Sequence, residues 1–378
     1  MNKIILITPI LQHYRISFYE KLSNAFSEKG LVVFHGVKKK EDGRPSYLGK
    51  TEFQNKGFQE SKLKIPLEIV YNWKMYSEVK KTNPDIIIIQ GITGNLSYRR
   101  IISWAKKNKK KIIIWSCGWE PGRAKGLLLR VKNMFVASFY NRADYFLTYS
   151  DYATKYVVSM GIDKSIIKTC YNGIEIDNLL HESPNIIIKS KVIRSQYNLE
   201  GQTSFLFVGG LIPEKKIYLL IDSFVYLRKK YDKIKLIIIG DGPLRSQVQE
   251  KLKIIYDLNI IYLGRIVDGV DPYFAASDCF VLPGVGGLAL NQAMFWGKTC
   301  IVSKADGTED DLVVEGVTGY RFKENDLESM VFAMERRINE KKEKLRLMSE
   351  NSHRFILKKS NVNNMVRVFS NAINDLIE

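Results

Sequence analysis

Residues 205–216 read FLFVGGLIPEKK, in which four large apolar residues are followed by two glycines and a turn that ends in two lysines. A short, continuous apolar run bounded by glycine is typical of a strand buried in a parallel sheet. Residues 217–231 have the length and apolar spacing of a helix. The region therefore predicts a strand, a glycine-containing turn and a helix, which is the repeating unit of an α/β fold.

The same unit recurs in two groups along the chain. Apolar, β-branched runs lie at 4–7, 31–34, 85–89, 111–115 and 144–149, and then at 205–208, 235–239, 259–263, 279–282 and 299–303. A longer amphipathic or charged segment follows each run. We therefore predict an α/β protein with two Rossmann-like, doubly wound domains. The length of 378 residues suits two domains and is too great for one ordinary domain.

The boundary between the two domains is placed in a polar stretch near residues 178–204, which contains Pro184 and no strand pattern. This gives predicted domains at residues 1–180 and 181–345. Residues 346–378 have a helical pattern throughout. Because no third sheet is available to this segment, we expect it to pack back on one of the two domains.

The composition excludes several classes of protein. Hydrophobic residues at 45% and charged residues at 26% are globular proportions, which argues against disorder and collagen. The four cysteines form no C-x-x-C pair, so neither a zinc site nor a disulfide framework is indicated. No apolar run approaches the roughly 20 residues that span a bilayer, and the N-terminus lacks the pattern of a signal peptide. We therefore expect a cytoplasmic protein.

Ligands of open parallel sheets bind beyond the carboxyl ends of the strands, so the turns after the strands are the candidate site. In the second half these turns contain Gly209-Gly210, Gly240-Asp241-Gly242, Gly264-Arg265-Ile266, Gly286-Gly287-Leu288 and the stretch 305–311. Lys215 precedes one helix, and Gly287 lies at the start of another, where free N–H groups and the helix dipole favour an anion. The series predicts a site for a nucleoside diphosphate.

Two other nucleotide-binding classes are disfavoured. No G-x-G-x-x-G motif follows the first strand of either half, and the chain has no Walker motif. These absences argue against dehydrogenases and P-loop enzymes.

Several of these turns match the motifs of one family. They are Val208-Gly209-Gly210-Leu211 with Lys215, the GDGP turn at 240–243, PGVGGLALNQAM at 283–294, and DGTEDD at 306–311 followed by GVTG at 316–319. This half resembles the retaining, family-4 nucleotide-sugar glycosyltransferases of the GT-B fold. NGIE at 172–175 is similar to a stretch near the domain junction of that family. YRISFY at 14–19 and WSCGW at 115–119 look like a subgroup that makes bacterial surface polysaccharides.

The resemblance extends over essentially the whole chain and is strongest from Asn172 to Gly319. It implies two domains that face each other across a cleft and a UDP- or GDP-sugar as donor. It also implies transfer with retention, in which the departing phosphate helps to deprotonate the acceptor. No D-x-D segment follows a strand, so we expect neither a metal nor a further cofactor, although Asp306, Asp310 and Asp311 form an acidic stretch.

The resemblance implies roles for individual residues. Lys215 would bind the diphosphate and stabilise the charge on the leaving group, and Gln292 would contact the ribose. The other nucleotide contacts would come from Gly209, Gly210, Gly240, Gly242, Arg265, Ile266, Gly287 and Leu288. The donor sugar would meet Gly286, Asp306 and Glu309. Independently of the resemblance, His13, Tyr14, Arg15 and Glu120 follow strands of the first domain and are expected to face the cleft. We therefore predict that His13, Tyr14 and Arg15 bind the acceptor and that Glu120 is a candidate catalytic group.

The chain also departs from the family pattern. The E-x7-E pair of the family aligns with Gly284 and Gln292, the usual arginine beside the first glycine is Gly210, and a histidine of the first domain is Cys117. A carboxylate that commonly touches the donor sugar is therefore missing. These departures support a second hypothesis, a catalytically weakened subunit that binds nucleotide sugars within a glycan assembly complex.

The net charge of +18 is concentrated in one region. Between Asn95 and Arg142 lie twelve lysines and arginines and a single acid, Glu120. Apolar residues at 127–129, 134–136 and 139–140 are interleaved with these cations. A basic helix with an apolar face can lie on an anionic membrane surface. The alternative is that the apolar residues simply pack this helix against its sheet.

Nucleic acid is a third, less favoured partner, because no nucleic-acid-binding motif accompanies the charge. The leading hypothesis is a glycosyltransferase at the inner face of the cell membrane. It would move a sugar to a lipid-linked glycan acceptor during assembly of a bacterial surface polysaccharide such as O-antigen or capsule.

Overall fold

The computed structural model describes residues 3–37, 46–64, 68–117, 127–303 and 307–378, and for residues 62–64, 68–69 and 127–131 it describes the backbone only. The chain forms two compact units. The first consists of Met1–Glu175 together with Asn361–Glu378, and the second is Ile176–Ser360.

The first unit is built on a seven-stranded parallel sheet with the order β3-β2-β1-β6-β7-β8-β9. Its strands are β1 (Ile4–Thr8), β2 (Leu31–Val37), β3 (Asn55–Gln59), β6 (Ile86–Gln90), β7 (Lys111–Ser116), β8 (Tyr145–Thr148) and β9 (Ile167–Thr169). A separate antiparallel hairpin joins β4 (Ser61–Lys64) and β5 (Glu68–Tyr71). The helices are α1 (Ile16–Ala25), α2 (Trp73–Thr82), α3 (Leu96–Lys107), α4 (Leu127–Tyr140), α5 (Asp151–Ser159) and α14 (Val362–Asn374).

Both faces of this sheet are covered, which explains why its central strands are apolar without alternation. Residues Ile4 to Ile7 of β1 are all buried. On one face, Phe18 of α1 and Phe369 of α14 pack with Trp115 of β7. The other face is covered by apolar residues of α2, α3, α4 and α5.

The second unit contains a six-stranded parallel sheet with the order β12-β11-β10-β13-β14-β15. Its strands are β10 (Thr203–Val208), β11 (Ile234–Ile239), β12 (Ile260–Gly264), β13 (Cys279–Leu282), β14 (Thr299–Ser303) and β15 (Gly319–Phe322). Its helices are α6 (Asp177–Gln196), α7 (Ile217–Arg228), α8 (Arg245–Ile255), α9 (Asp271–Ala276), α10 (Leu288–Phe295), α11 (Thr308–Leu312), α12 (Leu327–Asn339) and α13 (Lys342–Lys358).

In each sheet the strand order reverses once. The reversal lies between β1 and β6 in the first sheet and between β10 and β13 in the second. Loops leave in opposite directions on the two sides of such a point, so a crevice opens there beyond the carboxyl ends of the strands. Each unit therefore has a place for a ligand that follows from topology alone. The two Rossmann-like halves confirm the predicted fold class.

The structure divides the chain at 175/176 and 360/361, whereas the sequence placed the boundaries at 180/181 and 345/346. The polar stretch around Pro184 is not a linker, because Asp177–Gln196 forms one continuous helix.

The C-terminal segment is divided between the two units. Residues 346–378 do not form a single helical segment on one domain, because α13 belongs to the second unit and α14 to the first. The break lies at Asn361, whose side chain accepts a hydrogen bond from the backbone N–H of Asn364 and so caps α14. The next residue, Val362, donates its N–H to the carbonyl of Ile174.

Candidate functional site

A pocket of about 570 Å³ lies beyond the carboxyl ends of β10, β11 and β12 in the second unit. Its lining includes six of the residues predicted to contact the nucleotide, namely Gly209, Gly210, Gly240, Gly242, Arg265 and Ile266, together with Val208, Ile239 and Asp241. Three turns that are separate in sequence are thus brought to one edge of the sheet. The lining is largely backbone, and its charged side chains are Arg265 and Asp241, of which Asp241 accepts from the N–H of Gly242. Such a lining suits a ligand that carries many hydrogen-bonding groups, with Arg265 as the contact for negative charge.

Glycine is required in these turns because their backbones touch. A Cβ atom on Gly240 would lie 2.0 Å from the carbonyl oxygen of Gly209, and one on Gly242 would lie 2.6 Å from the carbonyl oxygen of Leu211. The turns are also hydrogen bonded, with the N–H of Leu211 donating to the carbonyl of Asp241 at 2.9 Å. The glycines therefore let two loops form one continuous wall.

Lys215 links this wall to the crevice between β10 and β13. It lies in a single 3-10 turn, Pro213–Lys215, and its ammonium donates to the carbonyl oxygens of Val285 and Gly286, each at 2.5 Å. A Cβ on Gly287 would be 3.5 Å from the same nitrogen. Gly287 immediately precedes α10, so a cation and the N-terminus of an eight-residue helix lie side by side. Both favour an anion at this point.

The position that aligns with the first glutamate of the family pair has no room for a side chain. A Cβ on Gly284 would lie 1.9 Å from the carbonyl oxygen of Glu214. The same carbonyl accepts a hydrogen bond from the N–H of Val285 at 3.0 Å. The loop after β10 thus occupies the space that a side chain at 284 would need.

Gln292 lies on α10 and is held by a carboxylate that sequence reasoning missed. Its amide nitrogen donates to Oδ1 of Asp271 at 3.0 Å, and the indole nitrogen of Trp296 donates to the same oxygen at 2.8 Å. Asp271 begins α9. No spacing in the sequence links residue 271 to residue 292, so only the packing of the two helices could reveal the pair.

Two family models match the chain. The model described as Glycosyl transferases group 1 matches residues 189–355, and the model described as Glycosyltransferase Family 4 matches residues 49–178. Together they cover more than half of the chain. The chain belongs to the group 1, family 4 glycosyltransferases.

Individual relatives of this glycosyltransferase are distant. An uncharacterised glycosyltransferase of Methanocaldococcus jannaschii is 27% identical over 55% of this chain, which spans about half (52%) of that relative. The lipopolysaccharide 1,2-N-acetylglucosaminetransferase of Salmonella typhimurium is 30% identical over 35% of this chain and 38% of its own length. The solved structure of Anabaena HepE in complex with UDP covers 99% of this chain and 100% of HepE, with a TM-score of 0.75 and 15% identity.

The residues predicted to meet the donor sugar are only partly described. Gly286 lies beside Lys215, as its carbonyl contact shows. Glu309 is buried in α11, where its carboxylate accepts from the backbone N–H of Gly307, the residue before the helix, at 3.1 Å. Asp306 and the candidate catalytic residue Glu120 lie outside the described residues.

The predicted acceptor residues follow β1 in the first unit. His13, Tyr14 and Arg15 form a 3-10 turn in which His13 and Tyr14 are exposed and Arg15 is buried. The guanidinium carbon of Arg15 lies 4.2 Å from the centroid of the Trp115 ring. The ring of Tyr149 is 5.5 Å away. Sequence reasoning did not identify these two aromatic neighbours as parts of the site.

No helix in the described parts of this glycosyltransferase combines the length and the apolar character needed to cross a membrane. Within the same residues, no cluster of three or more His, Cys, Asp or Glu side chains is placed to hold a metal ion.

Proposed function

We propose that this glycosyltransferase transfers a sugar, with retention, from a UDP- or GDP-sugar to a lipid-linked glycan during assembly of a bacterial surface polysaccharide such as O-antigen or capsule. The observation that carries the proposal is the position of Lys215 at the N-terminus of α10, beside the glycine-lined pocket. The complex of HepE with UDP and the lipopolysaccharide activity of the Salmonella relative support it.

The chemistry follows from where negative charge develops. As the bond between the sugar carbon and the phosphate oxygen breaks, charge grows on the nucleoside diphosphate. The ammonium of Lys215 and the N–H groups at the start of α10 would stabilise that charge more in the transition state than in the ground state. The acceptor oxygen bonds to the sugar carbon on the same face, and its proton passes to the departing phosphate.

The base and ribose would be held by different parts of the same unit. Arg265 and Ile266 line the pocket at its β12 side, where a planar base can rest against the chain. The side-chain oxygen of Gln292 can accept a hydrogen bond from a ribose hydroxyl, while its amide nitrogen donates to Asp271.

Binding and turnover with two lysine variants test this proposal. Lys215→Met should weaken UDP or GDP binding at least tenfold by calorimetry, because it removes the cation at the diphosphate. Lys216→Met is the matched control, since Lys216 pairs with Glu324 instead and should stay within about twofold of wild type. Release of UDP or GDP across a panel of nucleotide sugars then identifies the donor.

The results separate the two hypotheses. If the wild-type protein binds neither UDP nor GDP, the proposal is wrong. If it binds one of them tightly but gives no product in single turnover with a matched donor and acceptor, it is a binding subunit. The closed position at Gly284 is the observation that favours this second candidate.

The membrane location is proposed from α4. Val136, Phe139 and Tyr140 of this helix are buried against the sheet, so part of its apolar pattern is simply core. Met134 and Phe135, however, are 71% and 62% exposed. The guanidinium of Arg99 on the neighbouring helix α3 lies 5.6 Å from the centroid of the Phe135 ring, and the exposed Lys132 lies two positions before Met134. An apolar tip with cations around it suits an anionic lipid surface.

Sedimentation with vesicles tests this location. The protein should bind vesicles of phosphatidylglycerol but not of phosphatidylcholine, and the variant Met134→Ser/Phe135→Ser should bind at least fivefold more weakly. Equal binding of wild type and variant would contradict the role of α4. Binding to RNA in preference to anionic vesicles would instead favour the nucleic-acid hypothesis.

A further inference from the structure

A second candidate site lies in the first unit, at the point where the order of the seven-stranded sheet reverses. Thr8 ends β1 and Gln90 ends β6, and the hydroxyl of Thr8 donates to the side-chain oxygen of Gln90 at 3.1 Å. The amide nitrogen of Gln90 in turn donates to the hydroxyl of Tyr149 at 2.8 Å. Polar side chains of three strand ends therefore meet in the crevice where parallel sheets bind ligands.

Arg15 is the charged residue of this crevice. Its side chain is buried, with 4% of the residue exposed. Its Nε donates to the side-chain oxygen of Gln12 at 2.9 Å, and its guanidinium is stacked on Trp115. In the described parts of the chain, no carboxylate forms an ion pair with it, and its Nη1 has no hydrogen-bond partner. A buried cation without an anion is rare in folded proteins because its desolvation is not offset.

One more buried polar atom close to Arg15 also lacks a partner among the described residues. It is the indole Nε1 of Trp115, over whose ring the guanidinium lies. Guanidinium and indole nitrogens can only donate hydrogen bonds. What the crevice lacks is therefore an acceptor, and a charged acceptor would also balance Arg15.

The aromatic rings account for only part of the environment of Arg15. The faces of Trp115, Tyr14 and Tyr149 carry negative quadrupole charge and attract the cation. The hydroxyl of Tyr149 accepts a hydrogen bond from Nη2 at 3.5 Å, and Nη1 keeps no partner among the described residues. Tyr14 lies beside the guanidinium and is 39% exposed, so one wall of the Arg15 environment faces solvent.

We propose that Arg15 binds an oxyanion carried by the acceptor, either the phosphate of a lipid diphosphate or the carboxylate of an acidic sugar. This inference rests on the proposed function, because it assigns the ligand of the first unit to the acceptor. The groups assigned to the donor nucleotide all belong to the second unit. The acceptor of this glycosyltransferase is therefore expected to be an anion and not a neutral sugar.

Calorimetry with three short-chain probes tests the inference. Hexyl diphosphate represents the lipid phosphate, hexyl glucuronide the acidic sugar, and hexyl glucoside the neutral reference. Wild-type protein should bind one of the anions at least tenfold more tightly than the glucoside, and the tighter anion identifies the source of the oxyanion. Arg15→Gln should remove this preference.

Matched variants separate a ligand contact from a structural role. Arg367→Gln removes an exposed arginine of the same unit that bonds only to Asn364 among described residues, and it should keep the preference. Arg15→Lys retains the charge without the planar donor pair, so it should bind the anion with intermediate affinity. The inference is overturned if neither anion binds more tightly than the glucoside, or if Arg15→Gln binds the anions as wild type does.

The outcome can be distinguished from failure of the proposed function. UDP or GDP binding depends on the second unit and should be unchanged in Arg15→Gln. If nucleotide binding fails while the anion preference persists, the proposed function falls but the oxyanion site stands. If Arg15→Gln does not fold, as judged by circular dichroism, the decision passes to Arg15→Lys and to the salt dependence of wild-type binding. Added salt should then weaken binding of the anionic probe and leave binding of the glucoside unchanged.

Discussion

Gly210 and Gly284 both occupy positions where the family has a charged side chain. The space available for a side chain differs between these two positions. A Cβ on Gly210 would have no atom nearer than 4.0 Å, whereas one on Gly284 would collide with the carbonyl of Glu214 at 1.9 Å. The missing side chain at 210 therefore leaves open space in the pocket wall. The missing side chain at 284 is a requirement of the local backbone.

Alanine substitutions make this difference measurable. Gly284→Ala should lower the free energy of unfolding by about 2–3 kcal/mol, because the backbone of the loop after β10 must move to admit the methyl group. Gly210→Ala should change it by less than about 1 kcal/mol. Urea denaturation of both variants checks the prediction. Equal stability of the two variants would show that the loops are not in contact at Gly284.

The helices α9 and α10 are joined by a hydrogen bond that explains a second departure from the family. Asp271 accepts from both Gln292 and Trp296. A glutamate at 292, as in the family, would set two carboxylates about 3 Å apart. Like charges at that distance raise the pKa of one member of the pair and destabilise the folded state. Glutamine at 292 therefore avoids this repulsion and donates a hydrogen bond to Asp271 instead.

A double-mutant cycle tests that match. Gln292→Glu should destabilise the second unit by about 1–3 kcal/mol at pH 7, and adding Asp271→Asn should restore most of the loss. The sign with pH is set by the folded-state pKa, which repulsion raises above the unfolded value. The penalty is therefore small near about pH 3, where the carboxyl is protonated in both states, and it grows as the pH rises through the unfolded value. A penalty that is the same at all pH values, or no coupling in the cycle, would contradict the pairing.

The strands show how much of the fold can be predicted from the sequence. All ten apolar runs correspond to strands of the two sheets, because a strand covered on both faces must be continuously apolar. The strands β3, β4, β5, β9 and β15 were not predicted. Of these, β3 reads NKGFQ and has one buried residue among five, while β9 has only three residues. A polar edge strand such as β3, or a strand of three residues such as β9, has too few apolar residues to be told from a loop.

The site divides in the same way. The residues of the nucleotide pocket could be predicted because each directly follows a buried strand, and parallel topology brings strand ends together. The partners of Arg15, Gln292 and Lys215 could not be predicted. They are Trp115, Asp271 and the carbonyls of Val285 and Gly286. These contacts join loops and helices whose approach is set by packing in three dimensions.

Across the whole molecule, the net charge of +18 includes cations whose charged groups are largely removed from solvent. Lys298 precedes β14, at the end of the second sheet away from the pocket, and donates to the carbonyl of Ala275 at 2.9 Å. Burial lowers the pKa of Lys298 to about 8, and the nearby charges of Arg194 and Arg337 act in the same direction. Asp278 opposes them in part. This lysine makes the stability of the protein depend on pH in the alkaline range.

Replacing Lys298 by methionine should reveal that dependence. Below pH 8 the ammonium is charged in both states, and the folded state bears the cost of burying it. Above pH 8 the folded state loses the proton first, so wild type gains stability relative to Lys298→Met. The difference between them should shift by about 2 kcal/mol between pH 7 and pH 9.5. Urea titrations at several pH values measure the shift, with the exposed Lys253→Met as the control that should show none. A difference independent of pH would contradict the buried-ammonium assignment.

The position of α14 bears on how the protein is made. Residues up to 175 are synthesised before the second unit, yet Phe18 and Trp115 lack their partner Phe369 until residues 176–360 have followed. The second unit is one uninterrupted segment, 176–360, and can be completed while synthesis continues. The first unit therefore closes after the second, and the aromatic residues that Phe369 covers stay uncovered during that interval. A stop codon or a frameshift within residues 361–378 would damage a unit that consists mostly of residues before 176.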